Sequence, residues 1–326
     1  MVFTIYFHIT IIIILILIFS YLIIFHNKAG KNFNLMDKSD TNLKIHKSEI
    51  PKIGGLILII SILIYWNLNP FYPELSYNLP VYLFLISFFL IGLLDDYFNI
   101  KPIIRIFLYS LSSLLLIVYA NEYLVSHIYF ESLDKNIKLI YLPLFFTIFC
   151  IIFLQNAFNM LDGINGSLIL NALLVLFILI FLNLTVFKIL FLIALLMAFF
   201  LNVKNKIFLG NSGSSLISAI ISILLIEQHN QFAETLSGEK ILLICFLPTV
   251  DMVRLFFKRI VNKQDPFIGD LDHFHHLIFR KYSYFKWISL FSLIYLTLYM
   301  LTFFINIFIV LIVSLFIYVT ILFKNK

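Results

Sequence analysis

The sequence predicts an all-α polytopic membrane bundle, with about eleven transmembrane helices, and two observations carry that reading. Hydrophobic residues make up 62% of the 326 positions and charged residues only 12%, with a mean hydropathy of +1.04. A water-soluble domain has no need of that much apolar surface, whereas helices facing lipid do. The apolar residues also fall into long runs without heptads or strict alternation, as in helices that are apolar all round.

A spanning helix needs about 20 apolar residues. Taken in order, the runs lie at roughly 5–25, 53–67, 79–94, 102–120, 139–160, 164–183, 186–203, 207–226, 240–257, 287–303 and 305–323. The first lacks a basic start and a small-residue cleavage site, so it reads as a retained span rather than a signal peptide. The second and third are short. Little more than Asn306 separates the last two, which leaves a count of ten open. No repeat, low-complexity tract or soluble domain interrupts the pattern, so residues 1–326 read as a single membrane domain.

The net charge of +6 comes from Lys and Arg in short loops, which excludes a nucleic-acid binder as the simplest reading. Those cations are asymmetric. With the N-terminus outside and the C-terminus cytosolic, Lys28, Lys31, Lys52, Lys101, Arg105, Lys204, Lys258 and Arg259 fall on the cytosolic side. The opposite side keeps Lys135, Lys138, Lys240 and Lys188. This is the positive-inside pattern. The two cysteines, Cys150 and Cys245, sit inside apolar runs and read as inert.

Nearly every polar cluster falls on the cytosolic side of that assignment. Asp95 and Asp96 close the third run. If the helix continues, Asn99 shares their side, and the repulsion between adjacent carboxylates invites a divalent cation or a nearby Lys. The bland reading is a pair of solvated acids ending a span. Asn156, Asn159, Asp162, Gly163, Asn165 and Gly166 interrupt apolar sequence between the fifth and sixth runs. Asn156 and Asn159 stand one helical turn apart, and such amide and carboxylate groups could read a base, a ribose or the water shell of a metal. Phe208, Gly210, Asn211, Ser212, Gly213 and Ser214 open the eighth run. Small residues there suit close helix packing, and equally a phosphate held at a helix N-terminus. Asp270, Asp272, His273, His275 and His276 crowd a late loop, where His can neutralise phosphates. Lys47 lies in a basic segment that Pro51, Gly54 and Gly55 lead into the second run.

In this order the clusters resemble the polyprenyl-phosphate N-acetylhexosamine-1-phosphate transferases, the group that includes phospho-MurNAc-pentapeptide translocase and the initiators of O-antigen and teichoic acid synthesis. The match runs from His46 to His276. The resemblance implies transfer of a sugar 1-phosphate, with GlcNAc as the default, from a UDP-sugar to undecaprenyl phosphate. UMP would be released and a lipid-linked envelope glycan such as O-antigen begun. It implies Asp95 and Asp96 as catalytic residues. Lys47, Asn156, Asn159, Asp162, Asn165, Phe208, His273, His275 and His276 would contact the nucleotide sugar. Asp95, Asp96, Asp162 and Asn211 would hold Mg²⁺, or Mn²⁺ in its place. It further implies a bacterial inner-membrane location, an active site facing the cytosol, the bilayer as a partner and a homodimer. Pro248, Asp251, Arg254 and Arg259 fit the pattern leading into the histidine loop.

Two positions depart from the family pattern. Asn211 stands where an Asp is usual, which removes a charge from a hard-cation site. Leu271 replaces an Arg of the histidine motif. These departures motivate the alternative of a catalytically weakened homologue that binds a lipid or partner. A secondary transporter is the other alternative, but transporters place ionisable residues near the bilayer midplane rather than at helix ends.

Overall fold

A computed structural model describes residues 2–37, 49–68, 78–265, 272–274, 277 and 284–325. Among these the chain is all-α apart from two short antiparallel pairs of strands. The helices are α1 (Val2–Ile24), α2 (His26–Asn32), α3 (Gly54–Leu68), α4 (Leu79–Phe98), α5 (Pro102–Tyr119), α6 (Pro143–Leu161) and α7 (Ser167–Leu182). They continue as α8 (Val186–Val203), α9 (Gly210–Gln231), α10 (Gly238–Ile244), α11 (Phe246–Val261), α12 (Tyr284–Leu301) and α13 (Ile307–Asn325). The strands are β1 (Met36–Asp37) with β2 (Ile50–Pro51), and β3 (His127–Phe130) with β4 (Lys135–Lys138).

Ten of the eleven apolar runs each form one helix, and the ninth is broken. Six described helices are long and apolar enough to cross a membrane: α4, α5, α6, α8, α9 and α13. α1 and α2 together make a pair bent by 102°. Proline in the first turn starts α4, α5 and α6, where its missing N–H costs nothing.

The run at 240–257, read as one span, is instead α10 and α11, of 7 and 16 residues. Pro248 explains the break. In a continuous helix its nitrogen would face the Ile244 carbonyl with no hydrogen to give. That carbonyl is satisfied from outside, by the Tyr295 hydroxyl, and Thr249 Oγ1 donates to the Cys245 carbonyl at 2.6 Å.

The chain divides into two compact units, Met1–Ala120 with Leu176–Ile220, and Asn121–Val175 with Ile221–Lys326. In the first, α3 packs on α1 and α8, and α4 packs on α5. Its core holds Phe88, Tyr82 and Leu85 from α4, Ile57 and Leu58 from α3, and Phe187 and Phe191 from α8. In the second, α6 packs on α11, and α10 on α12 and α13. The β3–β4 hairpin is tied to α10 there: the Glu239 carboxylate accepts the Glu131 and Ser132 amides at 2.6 and 3.1 Å, while Lys240 pairs with Glu131 at 2.9 Å. Large apolar side chains such as Phe145, Phe200, Phe308 and Phe316 stay exposed, as lipid contact requires.

Candidate active site

The first unit assembles its polar residues around the start of α9. β1 and β2 pair Met36 with Pro51 and Asp37 with Ile50, and Lys52 reaches Asp37 at 2.9 Å. The chain then turns into α3, whose first amides need acceptors that the helix cannot supply. Gly54 and Gly55 donate to the carbonyls of Phe208 and Leu209 at 3.0 and 3.1 Å, and Phe208 donates its own amide to the Pro51 carbonyl at 2.8 Å. The segment leading into α9 is thus stitched to the segment leading into α3, and half-buried Phe208 is placed by that stitching.

Asp95 and Asp96 lie in the last turn of α4. The helix stops at Phe98, and Asn99 takes the left-handed conformation (φ 48°), its amide closing on the Asp95 carbonyl. Asn99 therefore does not continue the helical face of the two aspartates, contrary to the sequence expectation, because an αL cap turns the chain away. The aspartates part company as well. Asp95 is buried, at 3% exposure, and its Oδ2 accepts from Arg105 Nη1 at 2.5 Å. Asp96 turns to α9, where its two oxygens accept the amides of Asn211 and Ser212 at 2.9 and 3.0 Å. Repulsion between the carboxylates is relieved by an arginine and a helix N-terminus. The amides that the sequence offered to a phosphate are held by Asp96.

The second unit presents the asparagine-rich motif and the approach to the histidine loop. Asn156 and Asn159 sit half-buried on α6, and the Asn156 amide donates back to the Ile152 carbonyl at 2.9 Å. Asp162 is the C-cap of α6. The chain reverses through Gly166 at φ 82°, and the Ser167 hydroxyl bridges the carbonyls of Leu161 and Ile164. That bridge holds Asp162 and Asn165 in one tight turn.

Beside α6 lies Asp251 on α11, 4% exposed. Its Oδ2 accepts from His273 Nδ1 and from the Phe274 amide, both at 3.0 Å. Its Oδ1 accepts from Arg254 Nη2 and the Tyr318 hydroxyl, both at 2.7 Å. Burial alone would lift this carboxyl, yet the His273 hydrogen bond and the Arg254 guanidinium outweigh it and hold the group well below the usual carboxylate range. Arg254 also reaches the Asp272 carbonyl at 2.7 Å, and Lys258 pairs with the Asp272 carboxylate. Asp251, His273, Ala157 and Met160 line one small recess, so the asparagine helix and the first histidine share a wall.

The structure thus brings Asp95, Asp96, Phe208 and Asn211 together in one unit, and Asn156, Asn159, Asp162, Asn165 and His273 into the other. Lys47, His275 and His276 lie outside the described residues. Arg105, Tyr318 and Ser167 carry the site's supporting bonds and were not singled out from sequence. Arg105 was detectable in principle, as a cation ten residues after Asp95 in the first turn of a helix that Pro102 starts. Tyr318 gave no signal, being one aromatic of many in the last apolar run.

Among the described residues no three His, Cys, Asp or Glu side chains converge as a ready-made metal cage. The oxygens of Asp95, Asp96, Asp162 and Asn211 are nonetheless hard donors of the kind Mg²⁺ takes, and that ion commonly completes its shell with water and substrate phosphates.

Residues 78–229, which contain eight of the sequence-predicted positions from Asp95 to Asn211, match glycosyl transferase family 4. Among curated proteins the chain is 30% identical over 271 residues to the undecaprenyl-phosphate alpha-N-acetylglucosaminyl 1-phosphate transferase of Escherichia coli O157:H7, covering 78% of this chain and 72% of that one. The protein of the same name from Thermotoga maritima is 29% identical over 272 residues, covering 81% and 79%. Its namesake from Haemophilus influenzae is 29% identical over 263 residues, covering 76% and 72%. With its aspartate pair, asparagine motif and small-residue helix start all inside the matched region, the chain belongs to glycosyl transferase family 4.

Proposed function

We propose that the protein transfers a sugar 1-phosphate, GlcNAc 1-phosphate by default, from a UDP-sugar to undecaprenyl phosphate in a bacterial inner membrane, so beginning a lipid-linked envelope glycan such as O-antigen. The observation that carries this reading is the similarity, over 78% of the chain, to a transferase whose name states that acceptor and that sugar. An oxygen of the acceptor phosphate attacks the sugar-bearing phosphorus of the donor. The diphosphate bond breaks, UMP leaves with the bonding electrons, and a lipid diphosphate sugar stays in the membrane.

Little covalent work falls to the protein in such an exchange, so positioning and charge neutralisation dominate. An aspartate of the 95–96 pair accepts the proton of the acceptor phosphate or orients it. Asn156, Asn159, Asp162 and Asn165 supply directional hydrogen bonds to the nucleotide, Phe208 offers a ring to stack on uracil, and His273 faces the phosphates with Lys47, His275 and His276. Negative charge on the diphosphate and the departing UMP would be screened by Mg²⁺, or Mn²⁺, held by Asp95, Asp96, Asp162 and Asn211. A cytosolic site, a cytosolic C-terminus and a homodimer belong to the same proposal. The charge asymmetry of the loops supports the first two, and the family resemblance supports the third.

One observation favours a second reading. Asn211, where the family has Asp, removes a charge from the metal donors and fits a weakened homologue. The deciding experiment is UMP release by the detergent-purified protein from UDP-GlcNAc and undecaprenyl phosphate, with and without Mg²⁺, beside other UDP-HexNAc donors. Release that needs both lipid and metal establishes the transferase and names its donor. Release seen only in Asn211→Asp supports the weakened homologue, and silence from both proteins sinks the transferase reading for these donors.

A further inference from the structure

Asp95 and Asp96 are adjacent in sequence, but successive residues on a helix point about 100° apart. Asp95 faces α5 and its Arg105, whereas Asp96 faces the first turn of α9. There the Asn211 and Ser212 amides have no intrahelical acceptor, since a helix leaves its first N–H groups unmatched. Asp96 supplies both, one oxygen to each. It works as an N-cap delivered from another helix, and its charge sits where the helix dipole favours an anion.

The surrounding backbone is cut to fit this bond. Gly210 has φ +71°, and a Cβ there would stand 2.6 Å from Asp96 Oδ2. At Gly92, one turn before Asp96 on α4, a Cβ would run into the Asn211 carbonyl. Two glycines on two different helices thus leave the room that the Asp96 carboxylate and the Asn211 backbone occupy. On the far side, the Gly54 and Gly55 amides hold the Phe208 and Leu209 carbonyls. Residues 208–212 are therefore gripped at both ends, with the Asp96 carboxylate holding the 211 and 212 amides.

We infer that Asp96 is a positioning residue: it fixes the first turn of α9, and through it Phe208 and Asn211, and does not meet the reacting phosphates. The catalytic consequence rests on the transferase reading and narrows it: with both oxygens on the α9 amides, Asp96 leaves the Mg²⁺ donor set to Asp95, Asp162 and Asn211, and Asp95 is the carboxylate of the pair that works on the acceptor. The structural claim stands apart from it.

Hydrogen exchange of the detergent-purified full chain, read at the Asn211 and Ser212 amides, tests the claim without any substrate. Asp96→Ala should lower protection at both amides by roughly ten- to a hundredfold, as expected for a lost charge-assisted hydrogen bond. Asp96→Asn, which keeps one acceptor oxygen, should spare one amide and lose the other. Asp95→Asn should leave both protected. Unchanged protection in Asp96→Ala would overturn the inference. The kinetic arm uses Asp96→Asn: kcat should fall while the pH profile of kcat and the Mg²⁺ concentration for half-maximal rate stay within about twofold of wild type. A displaced pH profile or a much higher Mg²⁺ requirement would make Asp96 a base or a ligand, against the inference. A protein inactive on every donor would sink the transferase reading and leave the exchange result standing.

Discussion

Asp251 Oδ2 accepts a hydrogen bond from His273 Nδ1 at 3.0 Å, with both residues buried. A carboxylate can only accept, so Nδ1 carries the hydrogen and Nε2 is the nitrogen left to meet other groups. Partners of this kind fix the tautomer and orientation of an imidazole. Asp251→Asn should therefore lower turnover about ten- to a hundredfold. A double-mutant cycle with His273→Ala should show strong non-additivity, and additive losses would mean that the two residues act separately.

The same carboxyl sets a pH expectation. Its folded value lies below the ordinary 3.8, so on acidification the unfolded chain takes up the proton first. The stability it contributes is complete above the ordinary value and is lost only as pH falls through the lower, folded one. Thermal unfolding of wild type and Asp251→Asn should thus differ by a constant margin between pH 7 and pH 5. A margin that shrinks within that range would overturn this account of Asp251.

Arg105 offsets the buried charge of Asp95. Arg105→Met would leave that carboxylate without its cation, and breaking a buried pair costs about 3–5 kcal/mol. The partial exposure of Arg105, at 22%, argues for the lower end of that range. A large drop in unfolding temperature is expected, with partial recovery in the double variant Arg105→Met with Asp95→Asn. Thermal unfolding in detergent measures both, and no recovery would mean that Arg105 acts through packing.

Asn211→Asp restores a carboxylate among hard oxygen donors. The Mg²⁺ concentration for half-maximal rate should fall severalfold, since ligand charge tunes affinity for hard cations. The backbone amide that binds Asp96 is untouched by the change. A Mg²⁺ titration that does not move would remove residue 211 from the metal site.

Gly210→Ala combines a left-handed backbone with a clash against Asp96, and strain of this kind costs about 1–3 kcal/mol before the clash is added. Gly238→Ala is the milder comparison, because its Cβ would meet the Ile128 side chain rather than a fixed carboxylate. Unfolding temperatures should rank wild type, then Gly238→Ala, then Gly210→Ala. Equal losses would show that the fit around Asp96 is looser than its contacts.

The helices were readable because lipid imposes one requirement along each span, about 20 apolar residues with every backbone group bonded internally. Starts and stops were readable where a residue acts locally, as with the prolines opening α4, α5 and α6. The break at 245 was harder, since Pro248 could have kinked a span or ended one. What decided it was Tyr295, some fifty positions on, which satisfies the Ile244 carbonyl.

Residue types and their order along the chain by themselves determined the class, the helix bundle and the family. They could not assign partners, because a carboxylate reads the same beside a cation, a metal or a row of amides. Only the tertiary structure separated Asp95, paired with Arg105, from Asp96, capping α9, and joined Asp251 to His273 and Tyr318 across 22 and 67 positions of chain. The reason is range: apolar burial is a property of each segment, whereas a hydrogen bond at 3 Å depends on which segments packing brings together.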